Sequence, residues 1–133
     1  MQPFTIPVRV YWEDTDAGGI VYYANYLRFL ERARTDWLSS LGIDQAALLR
    51  DERLQFAVVE AHIRYHRPAR YGDELQVSVQ LEECRGASVV MRQEVRRAGT
   101  GGELLVSATV RAACLDAGGL RPRPLPSALA ALT

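Results

Sequence analysis

The sequence predicts an α+β fold in which a five-stranded antiparallel sheet wraps around one long central helix. Three observations predict it. Apolar residues recur at intervals of three and four over one long segment, residues 23–41, so a long helix is expected there. One strand-like run precedes that segment and about four follow it, separated by glycine- or proline-containing turns. A lone helix must bury its apolar stripe, and a sheet face is the available partner.

The first strand is predicted over FTIPVRVYW, where Pro7 favours an edge or a strand start because proline lacks the N–H that a central strand needs. The helix follows, and Gly42 is its expected C-terminal stop. Asp44 is predicted to cap a second, short helix through Leu49. The apolar stripe of the long helix is expected to contain Tyr26, Leu27, Leu30, Ala33, Trp37, Leu38 and Leu41.

The remaining strands are predicted between residues 56 and 116, interrupted at RPARYGD, CRGA and RAGTGGE. Short connections of this kind favour antiparallel pairing. Apolar residues at every second position are expected to line the side of the sheet that faces the helix; these are Val77, Val79, Leu81, Val89 and Met91. The tail RPRPLPSALAALT is proline-rich and then weakly helical.

Composition narrows the class of protein. The length of 133 residues suits a single domain, residues 1–133, and 16 basic residues balance 16 acidic ones, so nothing favours nucleic acid or an anionic membrane surface. All basic residues are arginine, which excludes lysine Schiff-base chemistry and a Walker-type lysine. No signal peptide or membrane span is expected, and Cys84 and Cys114 are expected to be free thiols, so the predicted compartment is the cytoplasm.

The segment EDTDAGGIVYYANY places Asp14, Asp16 and two glycines directly before the long helix. A helix N-terminus has unpaired N–H groups and a partial positive charge, which suit an anion or a developing oxyanion. A carboxylate just upstream of it could act on an acyl carbonyl. Two other interpretations stay open on local spacing: the aspartates could be turn-formers or caps, their commonest role, or part of a weak metal site.

The wider segment VYWEDTDAGGIVYYANYLRFLERART resembles the signature of the 4-hydroxybenzoyl-CoA thioesterase family within the hotdog fold, with most similarity to the tol-pal-associated acyl-CoA thioesterases. The resemblance continues through FAVVEAHIRYHRPARYGDEL, CRGASVV and RPRPLP, and so covers nearly the whole chain. It implies the hotdog fold and an enzyme, a thioester hydrolase that converts an acyl-CoA to a free acid and CoA.

The resemblance also implies roles for individual residues. Asp16 would be the catalytic carboxylate, either as nucleophile or as general base on water, and the backbone N–H of Tyr23 would polarise the thioester carbonyl. Gly19 would shape the turn and Asp14 would hold it by hydrogen bonds. Many relatives have a histidine where this chain has Tyr23, so an imidazole has no role here. The implied substrate contacts are Tyr26 and, across a subunit interface, Val58, Glu60 and Ser88, with Arg85 as the candidate for the CoA phosphates.

Other expectations concern ligands and assembly. No metal and no cofactor are expected apart from the coenzyme A of the substrate. The resemblance implies a homo-oligomer, a dimer or a tetramer, with acyl sites between subunits. Two alternatives to an acyl-CoA thioesterase remain: a thioesterase that acts on acyl carrier protein, and a hotdog protein that binds an acyl chain or a partner without catalysis.

Overall fold

The computed structural model describes residues 2–99 and 101–132. The elements follow one another as β1, α1, α2, β2, β3, β4, β5 and α3, with two short 3₁₀ turns between β1 and α1. Their bounds are β1 Phe4–Arg9, the 3₁₀ turns Trp12–Asp14 and Tyr23–Asn25, α1 Tyr26–Ser40, α2 Gln45–Glu52, β2 Leu54–Tyr65, β3 Glu74–Arg85, β4 Ser88–Arg97, β5 Leu104–Asp116 and α3 Ser127–Ala130.

The strands form one sheet in the order β1-β3-β4-β5-β2, and every neighbouring pair is antiparallel. The predicted five-stranded antiparallel sheet is therefore confirmed, and so is the edge position of Pro7 in β1. A short connection does not always join neighbouring strands in this sheet. Short turns join β3 to β4 and β4 to β5, but the eight-residue segment 66–73 carries the chain from β2, at one edge, across to β3 near the other.

Helix α1 packs its apolar row against the concave face of this sheet. Its buried residues are Tyr26, Phe29, Leu30, Ala33, Trp37 and Leu38. The prediction was wrong at Leu27, whose side chain is 47% exposed, and it overlooked Phe29, which is wholly buried. Phe29 lies four residues before Ala33 on the row that faces the sheet, whereas Leu27 lies on the opposite flank of that row.

The sheet residues predicted to face the helix do so: Val77, Val79, Val89 and Met91 are buried and Leu81 is half-buried against the core. Helix α1 ends before Gly42, which has φ +82°. The predicted cap of the second helix is confirmed, since Asp44 Oδ1 accepts a hydrogen bond from Ala46 N at 2.9 Å. That helix ends at Glu52 rather than at Leu49.

One polar side chain, Gln93 on β4, lies fully buried between the sheet and α1. Its amide nitrogen donates to the carbonyl oxygens of Leu30 in α1, at 3.0 Å, and of Ser78 in β3, at 3.3 Å. Its amide oxygen accepts from Arg34 Nη1 at 3.0 Å. Burial lowers the pKa of this Arg34 guanidinium, and the charge of Glu31 acts in the opposite direction. Gln93 therefore links the middle of the helix to two strands.

We expect Gln93→Leu to lower the free energy of unfolding by about 1–3 kcal/mol, because the side chain keeps its size while buried polar groups lose their partner. Urea denaturation measures the change. Gln76→Leu is the matched control, since Gln76 is exposed on β3, and it should stay within about 0.5 kcal/mol of wild type. Equal effects of the two substitutions would contradict a special role for the Gln93 hydrogen bonds.

Candidate active site

The chain reverses direction in a tight turn at Asp16 before it reaches the long helix. Asp16 N donates to Ile20 O at 2.8 Å and Gly19 N donates to Asp16 O at 3.2 Å. Gly19 has φ +80°, a left-handed conformation that glycine adopts without a steric penalty. The exposed Asp16 carboxylate accepts a hydrogen bond from Gly18 N at 2.7 Å. The turn therefore presents an oriented carboxylate to solvent.

Asp14, in contrast, is buried and serves the structure around this turn. Its Oδ2 accepts a hydrogen bond from Tyr11 N and its Oδ1 accepts one from Asn25 Nδ2, both at 2.8 Å. Its carbonyl oxygen accepts from Tyr22 N at 2.9 Å. One residue thus joins the end of the first strand, the turn and the start of the helix. These contacts agree with the expectation that Asp14 holds the turn.

The start of the helix carries backbone donors that the protein does not use. The 3₁₀ turn Tyr23–Asn25 leads directly into α1, and Tyr22, which precedes it, supplies no side-chain cap. Within residues 2–99 and 101–132, Tyr23 N–H donates no hydrogen bond. Unpaired N–H groups at such a position attract negative charge. The asparagine at position 25 was not singled out from the sequence, yet it ties this turn to Asp14.

Tyrosine rings surround the helix start. Tyr26 is buried, its hydroxyl accepts a hydrogen bond from Ala69 N at 3.0 Å, and burial raises the pKa of the phenol despite that hydrogen bond. The hydroxyl of Tyr65 donates to Tyr23 O at 3.2 Å. A cavity of about 290 Å³ lies here, lined by Ile20, Val21, Tyr23, Tyr26, Tyr65, His66, Arg67 and Pro68. Tyr26, a predicted substrate contact, therefore does lie at the helix start.

The other predicted substrate contacts lie elsewhere on the chain. Val58 is half-exposed on the edge strand β2 and lines a crevice beside α1. Glu60 is exposed, and its Oε1 lies 3.6 Å from Arg111 Nε. Ser88 is half-buried, and its hydroxyl accepts from Arg111 Nη1 at 3.0 Å. Arg111, which sequence reasoning missed, thus connects two residues chosen only by resemblance. Arg85 is exposed at the end of β3, opposite Ser88.

Within one chain these residues are not brought together with Asp16. Ser88 pairs with Ala113, near one end of β5. The segment 66–73, which contacts the Asp16 turn, is hydrogen-bonded to Leu105 at the other end of β5. Eight residues of extended strand separate these two positions, about 26 Å at 3.3 Å per residue. One chain therefore does not place these residues beside the Asp16 carboxylate.

Three further features concern metals, membranes and cysteines. Across residues 2–99 and 101–132, no group of three or more His, Cys, Asp or Glu side chains is arranged to hold a metal ion. The same part of the chain contains no helix long and apolar enough to cross a membrane. The two cysteines are free: Cys114 is buried and Cys84 is half-buried, and burial raises the pKa of both thiols.

Residues 10–132 match the family model of the thioesterase-like superfamily. The chain belongs to this superfamily. An acyl-CoA thioesterase named YbgC from Haemophilus influenzae is 43% identical over 123 residues, which are 92% of this chain and 88% of that protein. Among solved structures of this superfamily's fold, a probable thioesterase from Bartonella henselae is 33% identical, with a TM-score of 0.86 over 94% of this chain and 100% of that one.

A third thioesterase-like protein, the 1,4-dihydroxy-2-naphthoyl-CoA thioesterase Slr0204 from Synechocystis, is 26% identical. It superposes with a TM-score of 0.89 over 97% of this chain and 93% of that one. Together these matches confirm the resemblance found in the sequence, the hotdog fold that it implied and the enzyme class, a thioester hydrolase. They leave the roles of single residues as predictions.

We expect Asp14→Ala to lower the free energy of unfolding by about 2–4 kcal/mol, because Tyr11 N–H and the Asn25 amide lose a charged acceptor in a buried place. Thermal or urea denaturation measures it. Glu13→Ala is the matched control, since its neighbouring carboxylate is exposed, and it should be close to neutral. If Asp14→Ala were as stable as Glu13→Ala, Asp14 would not be the structural centre of this turn.

Proposed function

We propose that the chain hydrolyses acyl-CoA thioesters to a free acid and CoA, with Asp16 as the reacting carboxylate. One observation carries the proposal: an exposed carboxylate on a glycine turn is joined, through the buried Asp14, to a helix start whose Tyr23 N–H is unused. In this proposal the carboxylate is the reacting group and the Tyr23 N–H is the oxyanion donor, and hydrogen bonds hold the two segments together. The names of the related acyl-CoA thioesterases support the choice of substrate class.

In the proposed reaction the thioester carbonyl oxygen accepts a hydrogen bond from Tyr23 N–H, and the positive end of the helix stabilises the negative charge that develops on it. Asp16 then acts in one of two ways. As nucleophile, its oxygen attacks the carbonyl carbon, CoA leaves as a thiolate, and water hydrolyses the resulting anhydride. As general base, it takes a proton from a water that attacks the same carbon. Both routes consume one water and release one acid.

The remaining site residues keep their predicted roles within this proposal. Gly19 gives the turn its left-handed position, and Tyr26 contacts the acyl group near the helix start. Arg85 is exposed and forms no ion pair within the described part of the chain, so its guanidinium is available for a CoA phosphate. Val58, Glu60 and Ser88 would contact the substrate from another subunit, because one chain holds them far from Asp16.

A homo-oligomer, dimer or tetramer, is therefore part of the proposal. Strand β2 is an edge of the sheet, and among residues 2–99 and 101–132 no other strand pairs with its outward backbone groups. It also exposes Val58 by 50% and Val59 by 57% next to a bulge. An antiparallel second copy of β2 would pair these groups and cover the valines. It would also bring Val58 and Glu60 of one subunit toward the other subunit.

We expect Asp16→Asn to keep the fold and to lower kcat by at least about 100-fold, since an amide can neither attack the carbonyl nor accept the proton of water. Thiol release from a panel of short, long and aromatic acyl-CoAs measures it. Asp36→Asn, which changes an exposed aspartate on α1, is the matched control and should retain wild-type turnover.

Wild-type turnover in Asp16→Asn would contradict the assignment of Asp16. Absence of wild-type activity on every CoA ester would contradict the proposed substrate. In that case matched thioesters of acyl carrier protein test the alternative carrier. Activity there would keep the chemistry and change only the group that delivers the acyl chain.

We expect Val59→Lys to shift the protein toward monomer and to reduce turnover in parallel, because a charge on the β2 edge disfavours pairing with a second copy. Light scattering after size-exclusion chromatography measures the mass. Thr5→Lys, on the opposite edge strand β1, is the control and should change neither property. A fully active Val59→Lys monomer would show that the site is complete within one chain.

A further inference from the structure

The segment 66–73, which we call the strap, crosses from β2 to β3 and lies against the proposed catalytic turn. Ala69 O accepts a hydrogen bond from Val21 N at 2.8 Å, and Gly19 O accepts one from Tyr71 N at 3.3 Å. These two hydrogen bonds make up an isolated antiparallel bridge between Ile20 and Arg70. The strap therefore acts as a short partner strand for the second half of the turn that carries Asp16.

The same strap also contacts the helix start and the first strand. Ala69 N donates to the hydroxyl of Tyr26, the first residue of α1, at 3.0 Å. Val10 N donates to Asp73 O at 2.9 Å, and Gly72 N donates to Val10 O at 3.0 Å. The strap therefore contacts the Asp16 turn, the helix start and the end of β1. Movement of the strap would alter their relative positions.

Arg97 is one of the side chains that anchor the strap to the sheet. Arg97, at the end of β4, forms a salt bridge through Nη1 with the Asp73 carboxylate and donates through Nη2 to Pro68 O at 3.3 Å. Its Nε donates to Glu103 at 3.2 Å. Asp73 in turn accepts from Arg70 N at 2.8 Å. A planar guanidinium can make all these contacts at once, which a lysine cannot.

We propose that Arg97 is a positioning residue for catalysis, which fixes the Asp16 turn relative to the Tyr23 N–H through the strap. Arg97 takes no part in the reaction itself, because its contacts are with the strap and Glu103. Its effect is geometric: a displacement of about 1 Å between a reacting group and an oxyanion donor can cost on the order of 100-fold in rate. The proposal rests on the function proposed above, in which Asp16 and Tyr23 N–H act together.

The test compares Arg97→Met with Arg92→Met. Arg92 lies on the same strand as Arg97, and its substitution breaks an exposed ion pair with Glu82 of β3. At a temperature where all variants are folded, we expect Arg97→Met to lower kcat by about 10- to 100-fold with KM within about threefold of wild type. Arg92→Met should match wild type. Arg97→Lys keeps a cation beside Asp73 but cannot also reach Pro68 O and Glu103, so it should recover only part of the loss. Should Arg97→Met fail to fold, Asp73→Asn removes the same link from the strap side.

Amide hydrogen exchange supplies a readout that does not depend on activity. In Arg97→Met the amides of Val21 and Tyr71, which bridge the turn and the strap, should exchange at least about tenfold faster. The amide of Leu125, bonded to Gly86 O away from the strap, should be unchanged. Unchanged exchange at Val21 and Tyr71, or a kcat equal to that of Arg92→Met, would overturn the proposal.

The two proposals can fail separately. If wild type hydrolyses no thioester, the proposed function fails, and exchange at Val21 and Tyr71 still decides whether Arg97 fixes the turn. If wild type is active and Asp16→Asn is not, while Arg97→Met turns over normally, the function stands and the positioning role of Arg97 is wrong. A uniform rise in exchange over the whole sheet would also overturn it, because that pattern indicates general loss of stability.

Discussion

The apolar row of α1 packs against the concave face of a single sheet, and most of the molecule depends on that contact. The sheet stays open, with β1 and β2 as its edges, and in the described part of the chain no further strand pairs with either of them. Gln93 fixes the position of the helix on the sheet, because it hydrogen-bonds to Leu30 in the helix and to Ser78 in the sheet. Hydrophobic burial alone would let the helix slide or rotate; a buried amide with fixed partners disfavours both.

Fixing the helix also fixes its N-terminus, and the proposed chemistry is located there. The buried Asp14 carboxylate connects the helix start to the turn before it, and the exposed Asp16 carboxylate two residues later is left to face solvent. The two aspartates therefore have different roles because of their surroundings. One is enclosed by donors that serve the fold, and the other lies on a glycine turn whose donor, Gly18 N–H, only orients it.

Much of this could be predicted from the sequence, because the relevant signals are local. The period of the apolar residues located α1, the turn residues located the strands, and Asp44 showed where α2 begins. The motif around Asp16 and Gly19 marked the turn. Leu27 and Phe29 were misjudged because a helical period defines a stripe only to within about one residue on each flank. The shape of the sheet decides which residues at the margins of the stripe are buried.

Contacts between distant segments could not be predicted in the same way. RPARYGD reads as a turn, and one does form, with Tyr71 and Gly72 rather than Gly72 and Asp73 as its central residues. The main contacts of the segment are nevertheless with the Asp16 turn and with Arg97. Strand order decides this, since β2 pairs with β5 and the chain must then cross to β3 over the helix start. A connection that looks like an ordinary turn in the sequence therefore contacts the Asp16 turn, the helix start and the end of β1.

The same strand order explains why one chain holds only part of the proposed site. It puts Asp16, Tyr23 and Tyr26 beside the strap at one end of β5, and Ser88 and Arg111 toward the other end. It also leaves β2 as a free edge that carries Val58 and Glu60. A second copy paired along β2 would run antiparallel and so invert these ends, which brings the missing half of one subunit toward the helix start of the other. In this proposal the strand order therefore accounts both for the pairing of two subunits and for the completion of the catalytic site.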